Sequence, residues 1–277
     1  MFEFIKNMSV FSPFRLLIAA ILARIGGWIP DEIYLGWRYW LIMGKKLNLN
    51  NPTTFNEKIN WLKIYNRDVN YPSVVDKFLV KEYVTRIIGK EYIIPTYGIW
   101  NCYDEIDFTE LPNKFILKST NGGGGTGVAI CRDKKLFNSS DARLRIETSM
   151  KMSSDWKFGR EWVYRDVKPR IIAEQLLESD DGLDIMDYKF FCFNGIMRCL
   201  KVDFNRFSYH QANYYDRQFC LLPFGEIVCP PNPSYTVLKP KNFELMVTLA
   251  EKLASGFPFI RVDLYNPKIR NYHPIHD

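Results

Sequence analysis

At 277 residues the chain can bury one large core or two, and its ordinary apolar content with 16% aromatic residues excludes extended disorder. The formal charge of +6 suits anionic substrates or an anionic membrane surface, and no Lys/Arg run interleaved with aromatics gives a nucleic-acid signature. Six cysteines without a C-x-x-C pair read as free, reduced thiols of a cytosolic protein, and three histidines, two of them in the last five residues, argue against a histidine-based zinc site or a Ser-His-Asp triad.

Residues 1–48 read as helical and aromatic-rich. The apolar run Leu16 to Ala23, between Arg15 and Arg24, is shorter than the roughly 20 residues that span a bilayer, and no small-residue cleavage site follows it. It reads as an amphipathic or buried helix; with Trp28, Trp37, Tyr39 and Trp40 nearby, either peripheral membrane contact or packing on the protein's own core fits. After a break at Asn51-Pro52, Thr53 or Thr54 caps a helix over Phe55 to Lys63, with Glu57 reaching back in a capping box. A second helix runs from Asp76 to Gly89, with Gly89 as its C-cap. Strands are predicted over 93–100, 170–177, 187–193 and 259–265, the last with one embedded acid. Asn194-Gly195 is a favoured hairpin turn from which Ile196 to Val202 pairs back. Helices are predicted over 138–151 and 243–255, a helix or turn over 156–164, and a turn at Asp180-Asp181-Gly182. The sum is an α+β chain with mainly antiparallel sheets and a helical N-terminal region.

Residues 114–130, KFILKSTNGGGGTGVAI, carry the most informative motif. A short apolar run bears Lys118; Gly122, Gly123, Gly124 and Gly125 follow, then Thr126 and Gly127, and Val128-Ala129-Ile130 closes the unit. Glycine lets backbone approach a ligand closely and adopt φ > 0. Successive N–H groups in such a turn form a concave anion site, and a preceding lysine adds a positive point charge. Gly122, Gly124 and Gly127 satisfy G-x-G-x-x-G, yet no helix opens directly after them, as a dinucleotide fingerprint requires. Gly127 is followed by Val128 rather than Lys-Ser/Thr, so a Walker A loop fails too. What remains is strand–loop–strand: either a glycine-rich hairpin of the kind that covers ATP phosphates, or a surface hairpin with no ligand.

Six stretches in order, NPTTFNEKINWLK, DKFLVKEYV, LPNKFILKSTNGGGG, RIIAEQLLE, DYKFFCFNG and FIRVDLY, resemble the TupA-like ATP-grasp family of teichuronopeptide biosynthesis. The resemblance implies an ATP-grasp fold with ATP between two α+β subdomains: a helical region over 1–92, a subdomain with the glycine-rich lid over 93–178, and a C-terminal subdomain over 179–277. It implies carboxylate–amine ligation through an acylphosphate, with ATP and Mg2+ as cofactors. Lys118 and the Gly122–Gly127 hairpin would hold the phosphates, Glu174, Gln175 and Leu177 would line the adenine pocket, and Lys189 would be a second cation. Asp263 would bind Mg2+ and Arg261 would steady the acylphosphate or the substrate carboxylate. The implied partners are a polysaccharide or glycan-linked carboxylate and an amino-acid or amine donor, in a cytoplasmic protein with possible contact at the inner face of the membrane and no nucleic acid. The family's pattern continues into a strand reading roughly G-E-L-T-F, whose glutamate is another metal ligand. Here Asn266 to Asp277 reads NPKIRNYHPIHD, so a shortened C-terminal subdomain and a thin metal site are expected.

Plainer readings stand beside these. Lys118 and Lys189 could be edge-strand lysines, Glu174 a solvent-facing strand residue, Asp187 a turn residue, and Asp263 the ion-pair partner of Arg261 or Lys201. At the level of function, a glycosyltransferase of polysaccharide biosynthesis is the first alternative, although no Asp-x-Asp pair occurs. An inactive ATP-grasp remnant is the second.

Overall fold

The computed structural model describes residues 13–122, 125, 127–151, 158–178, 185–205 and 209–266. The predicted elements at 156–157 and 180–182, and the divergent stretch 267–277, lie outside them. The chain divides into two compact units, Met1–Tyr83 with Ile94–Gln175, and Val84–Ile93 with Leu176–Asp277.

The first unit opens with helices α1 (Pro13–Ile25) and α2 (Asp31–Met43), which pack on each other around Tyr34, Leu35 and Tyr39. Arg160, buried and at φ +53°, clamps this pair: its guanidinium lies 4.1 Å over the Tyr34 ring and donates to the Gly26 and Ile29 carbonyls. Helix α3 (Phe55–Tyr65) starts at a complete capping box. Thr54 Oγ1 accepts from the Glu57 N–H, and Glu57 Oε2 accepts from the Thr54 and Thr53 N–H groups. These backbone donors, Thr54 first, hold the Glu57 carboxyl at about 2. A short helix α4 (Tyr71–Val75) precedes α5 (Leu79–Ile88).

Helix α5 starts three residues later than predicted because Asp76 serves as a cap: its Oδ1 accepts from the Phe78 and Leu79 N–H groups. Gly89, at φ +110°, closes the helix by donating to the Thr85 carbonyl. A four-stranded antiparallel sheet follows in the order β1 (Thr96–Trp100), β4 (Ile171–Glu174), β2 (Phe115–Ser119), β3 (Val128–Cys131). Helix α6 (Ser139–Lys151) lays Ala142, Ile146 and Ser149, at i, i+4, i+7, on β2 and β3. The strand predicted over 170–177 pairs only as far as Glu174; the Gln175 N–H then goes to the Pro95 carbonyl.

The second unit is an antiparallel sheet in the order β7 (Gln211–Tyr215), β6 (Ile196–Phe204), β5 (Asp187–Phe193), β8 (Phe259–Tyr265), with helix α7 (Phe243–Ala254) on one face. Asn194 (φ +49°) and Gly195 (φ +77°) make the two-residue hairpin turn read from the sequence. Strand β7 was not among the predicted elements. Period-2 alternation sorts the faces: Tyr188, Phe190, Cys192, Leu200, Val202 and Val262 are buried on the apolar side, with α7's Phe243, Val247 and Ala250 in the same core.

Candidate functional site

In the first unit β2 buries Phe115, Leu117 and Ser119 on one face and turns Lys118 to the other. The register Lys118↔Ile172 and Ile116↔Glu174 puts Lys118 and Glu174 on that same face of adjacent strands. There Lys118 Nζ lies 2.8 Å from Glu174 Oε2, and Lys81 Nζ, from α5, lies 2.5 Å from Glu174 Oε1. Burial pushes the Glu174 carboxyl up, but Lys118 and Lys81 more than reverse this and hold it below the usual carboxylate range. One carboxylate between two ammonium groups leaves an excess positive charge, which attracts anions.

The glycine-rich hairpin springs from this strand. Its base is tied down: the Ser119 N–H donates to the Gly127 carbonyl at 3.0 Å, the Thr120 N–H donates to Arg170 O at 2.8 Å, and Lys77 Nζ donates to the Ser119 and Gly122 carbonyls. Gly127 sits at φ +69°, and a Cβ there would overlap the Ser149 and Ser119 side chains, which hydrogen-bond each other at 2.7 Å beneath it. Gly125 is also left-handed, at φ +81°; Gly123 and Gly124 lie outside the described residues.

In the second unit the face of the sheet opposite α7 is charged. Cross-strand pairs Asp187↔Asp203, Lys189↔Lys201 and Lys189↔Asp263 line it. Lys189 Nζ donates to Asp187 Oδ2 and to Asp203 Oδ2, the latter at 2.6 Å; Lys201 Nζ contacts Glu226 and lies 3.3 Å from Asp203 Oδ1. Burial lowers the Lys189 ammonium, and Asp187 and Asp203 outweigh it, so its pKa is raised. Burial raises Asp203, and Lys189 first among its partners brings it below the ordinary range. Arg261 and Asp263, both exposed, form a bidentate pair at 2.7 and 2.8 Å.

Several plainer readings are overturned. Lys118 and Lys189 lie on inner strands β2 and β5, so they are not edge lysines. Glu174 is 5% exposed rather than solvent-facing. Asp187 is a buried first residue of β5 rather than a turn residue. The pairing of Asp263 with Arg261 is present. Gln175 and Leu177, half-buried, follow the end of β4.

Sequence reasoning missed Lys77, Lys81, Lys201, Asp203 and Glu226. A signal existed for most: Lys77 and Lys81 stand at i, i+4 in DKFLVKEYV, and Asp187-x-Lys189 is mirrored by Lys201-x-Asp203 about the Asn194-Gly195 turn.

Residues 57–272 match the TupA-like ATPgrasp family. The chain belongs to that family. None of the curated proteins compared with it matches. Among solved structures, the D-alanine–D-alanine ligase of Bacillus anthracis is 14% identical (70% of this chain, 53% of that one, TM-score 0.37). The D-cycloserine synthetase DcsG is 16% identical (71% and 59%, TM-score 0.35). The ATP-grasp ligase PsnB, solved with minimal precursor, Mg and ADP, is 10% identical (77% and 53%, TM-score 0.34). The chain spans about half the length of these structures. Membership of the TupA-like ATP-grasp family therefore rests on the family match, and the two antiparallel α+β sheets, with the glycine-rich hairpin on the first, are the corresponding fold.

Proposed function

We propose that the chain acts as an ATP-dependent carboxylate–amine ligase in bacterial cell-surface polysaccharide biosynthesis, its two units being the subdomains of the ATP-grasp fold. The observation that supports this reading most is the convergence of Lys118 and Lys81 on buried Glu174 at the root of the tethered glycine-rich hairpin. In the proposed reaction a substrate carboxylate oxygen attacks the γ-phosphorus of ATP, the bond to the β–γ bridging oxygen breaks, and ADP leaves. An amine then attacks the acyl carbon, loses a proton to form the amide, and phosphate departs with the electrons of the C–O bond.

Within that reading Lys118 and Lys81 offset phosphate charge, with Glu174 fixing their direction, and the hairpin supplies N–H donors. Glu174, Gln175 and Leu177 border the adenine, Lys189 is a second cation for the phosphates, and Arg261 steadies the acylphosphate. Asp263, an exposed hard-oxygen donor now paired with Arg261, would hold Mg2+. When bound, the ion neutralises charge on the transferring phosphoryl group.

The partners proposed are a glycan-linked carboxylate and an amine donor, met at the inner face of the membrane. No helix among the described residues is long and apolar enough to cross a bilayer. Instead α1 carries Phe14, Leu17, Ile21 and Ile25 exposed in one stripe, continued by exposed Trp28, Trp37 and Trp40. Arg15 lies 5.2 Å over the Trp40 ring. The only charged residues of α1 are Arg15 and Arg24, while the nearby acids Asp31 and Glu32 are engaged by Arg67, Arg160 and Tyr65. Apolar surface rimmed by cations fits an anionic bilayer surface.

Calorimetric titration with ATP tests the nucleotide reading. Lys118→Ala and Lys189→Ala are each expected to weaken binding about tenfold or more, the worth of one charge-assisted contact. Unchanged affinity in both folded variants overturns it, and binding of UDP- or GDP-sugar without ATP transfers the case to a glycosyltransferase.

A further inference from the structure

We propose that Asp203, His210 and Cys229, in the second unit, form a binding site for a transition-metal dication of the zinc class. The scarcity of histidine in the sequence points away from such a site, but the fold brings one histidine to an acid and a thiol. A carboxylate oxygen, an imidazole nitrogen and a sulfur all lie within 4.8 Å of one another. Asp203 Oδ1 is 2.7 Å from His210 Nε2, and Cys229 Sγ is 3.4 and 3.6 Å from the two ring nitrogens. Donors of a tetrahedral zinc site stand about 3.3–3.7 Å apart, so the sulfur is already in range of the imidazole, while the acid–imidazole contact must open by about 0.6–0.7 Å for an ion to enter.

The donors are held by separate elements. Asp203 is near the end of β6, and His210 immediately precedes β7, whose register with β6 is fixed by Phe204↔Gln211. The Cys229 segment is anchored to β7, where the Ala212 N–H donates to Pro230 O at 3.4 Å and the Asn232 N–H donates to Asn213 Oδ1 at 2.9 Å. Asp203 and Cys229 are buried while the His210 side chain is 37% exposed, which gives an ion a way in.

Two lysines border the site, and both have other partners: Lys189 has Asp187, and Lys201 has Glu226. Among these described groups two ammoniums face three carboxylates, and a Cys229 thiolate would bring the excess to two negative charges, those a dication neutralises. The soft sulfur selects zinc, cobalt or their like over magnesium, which separates this site from the one proposed at Asp263. Three protein donors leave one tetrahedral position for water.

The test uses the full chain, stripped of metal with a chelator and titrated with Co2+, and its readout is independent of ligase activity. A stoichiometric addition is expected to produce a near-ultraviolet thiolate-to-cobalt charge-transfer band, bleached by Zn2+ and not by excess Mg2+. Cys229→Ser, nearly isosteric, and His210→Asn should each abolish the band. A Cys102→Ser/Cys220→Ser variant, lacking the two exposed thiols, should keep it. Circular dichroism confirms folding of each variant. No band in the parent protein, or a band that survives either Cys229→Ser or His210→Asn, overturns the proposal.

Discussion

Burial alone would favour a protonated, neutral Glu174; two lysines decide otherwise. Because the carboxyl titrates lower in the folded chain than in the unfolded one, its stabilisation is present above the ordinary carboxylate range and is lost as pH falls through the folded value. Asp203 adds in the same direction. Lys189 is shifted up, so its contribution holds below the ordinary lysine value and is lost as pH rises through the folded one. Glu174→Gln removes the shared partner of two half-buried ammonium groups and is expected to cost about 3 kcal/mol near neutral pH. Thermal melts across pH should show a flatter acid limb in this variant; an acid limb unchanged from the parent would show that Glu174 does not carry it. Lys118→Ala should be milder, since Lys81 still pairs with Glu174.

Among the described glycines of the hairpin, Gly127 is the one where a side chain has no room. At Gly127 a left-handed backbone coincides with the absence of room for a Cβ. Gly127→Ala should therefore cost roughly 2 kcal/mol, from backbone conformation and overpacking together. It should also weaken ATP binding, and denaturant titration with calorimetry measures both. At the start of α3, Thr54→Ala removes the acceptor for the Glu57 N–H and should cost about 1 kcal/mol in the same titration. These two features were legible because they are local: a capping box spans four residues, and a glycine run between two apolar strands leaves few alternatives. The Asn194-Gly195 turn was legible for the same reason. The ion-pair clusters were not, since Lys81 meets Glu174 across 93 positions of chain, and which strand lies beside β2 is decided by tertiary pairing. Strand β7 escaped because QANYY alternates too weakly, and its partner β6 supplies what the pattern lacks. Resemblance over six ordered motifs reached the family, whereas Asp203 and Lys201 lie between motifs.

At the scale of the whole molecule, the membrane contact proposed for the α1–α2 face predicts that the net charge of +6 strengthens binding to anionic lipid. The chain should co-sediment with phosphatidylglycerol vesicles and much less with phosphatidylcholine vesicles, and added salt should weaken binding by screening the cations. Trp28→Ala with Trp37→Ala should release it at low salt as well; retention by this variant would move the contact off the face. Trp28 is 84% exposed, and Trp28, Trp37 and Trp40 are three of the chain's seven tryptophans. The face thus carries its own optical probe: indoles passing from water into the headgroup region emit at shorter wavelength and escape aqueous quenchers. The unlabelled protein can therefore report, in one cuvette and without perturbation, whether this surface is wet or covered.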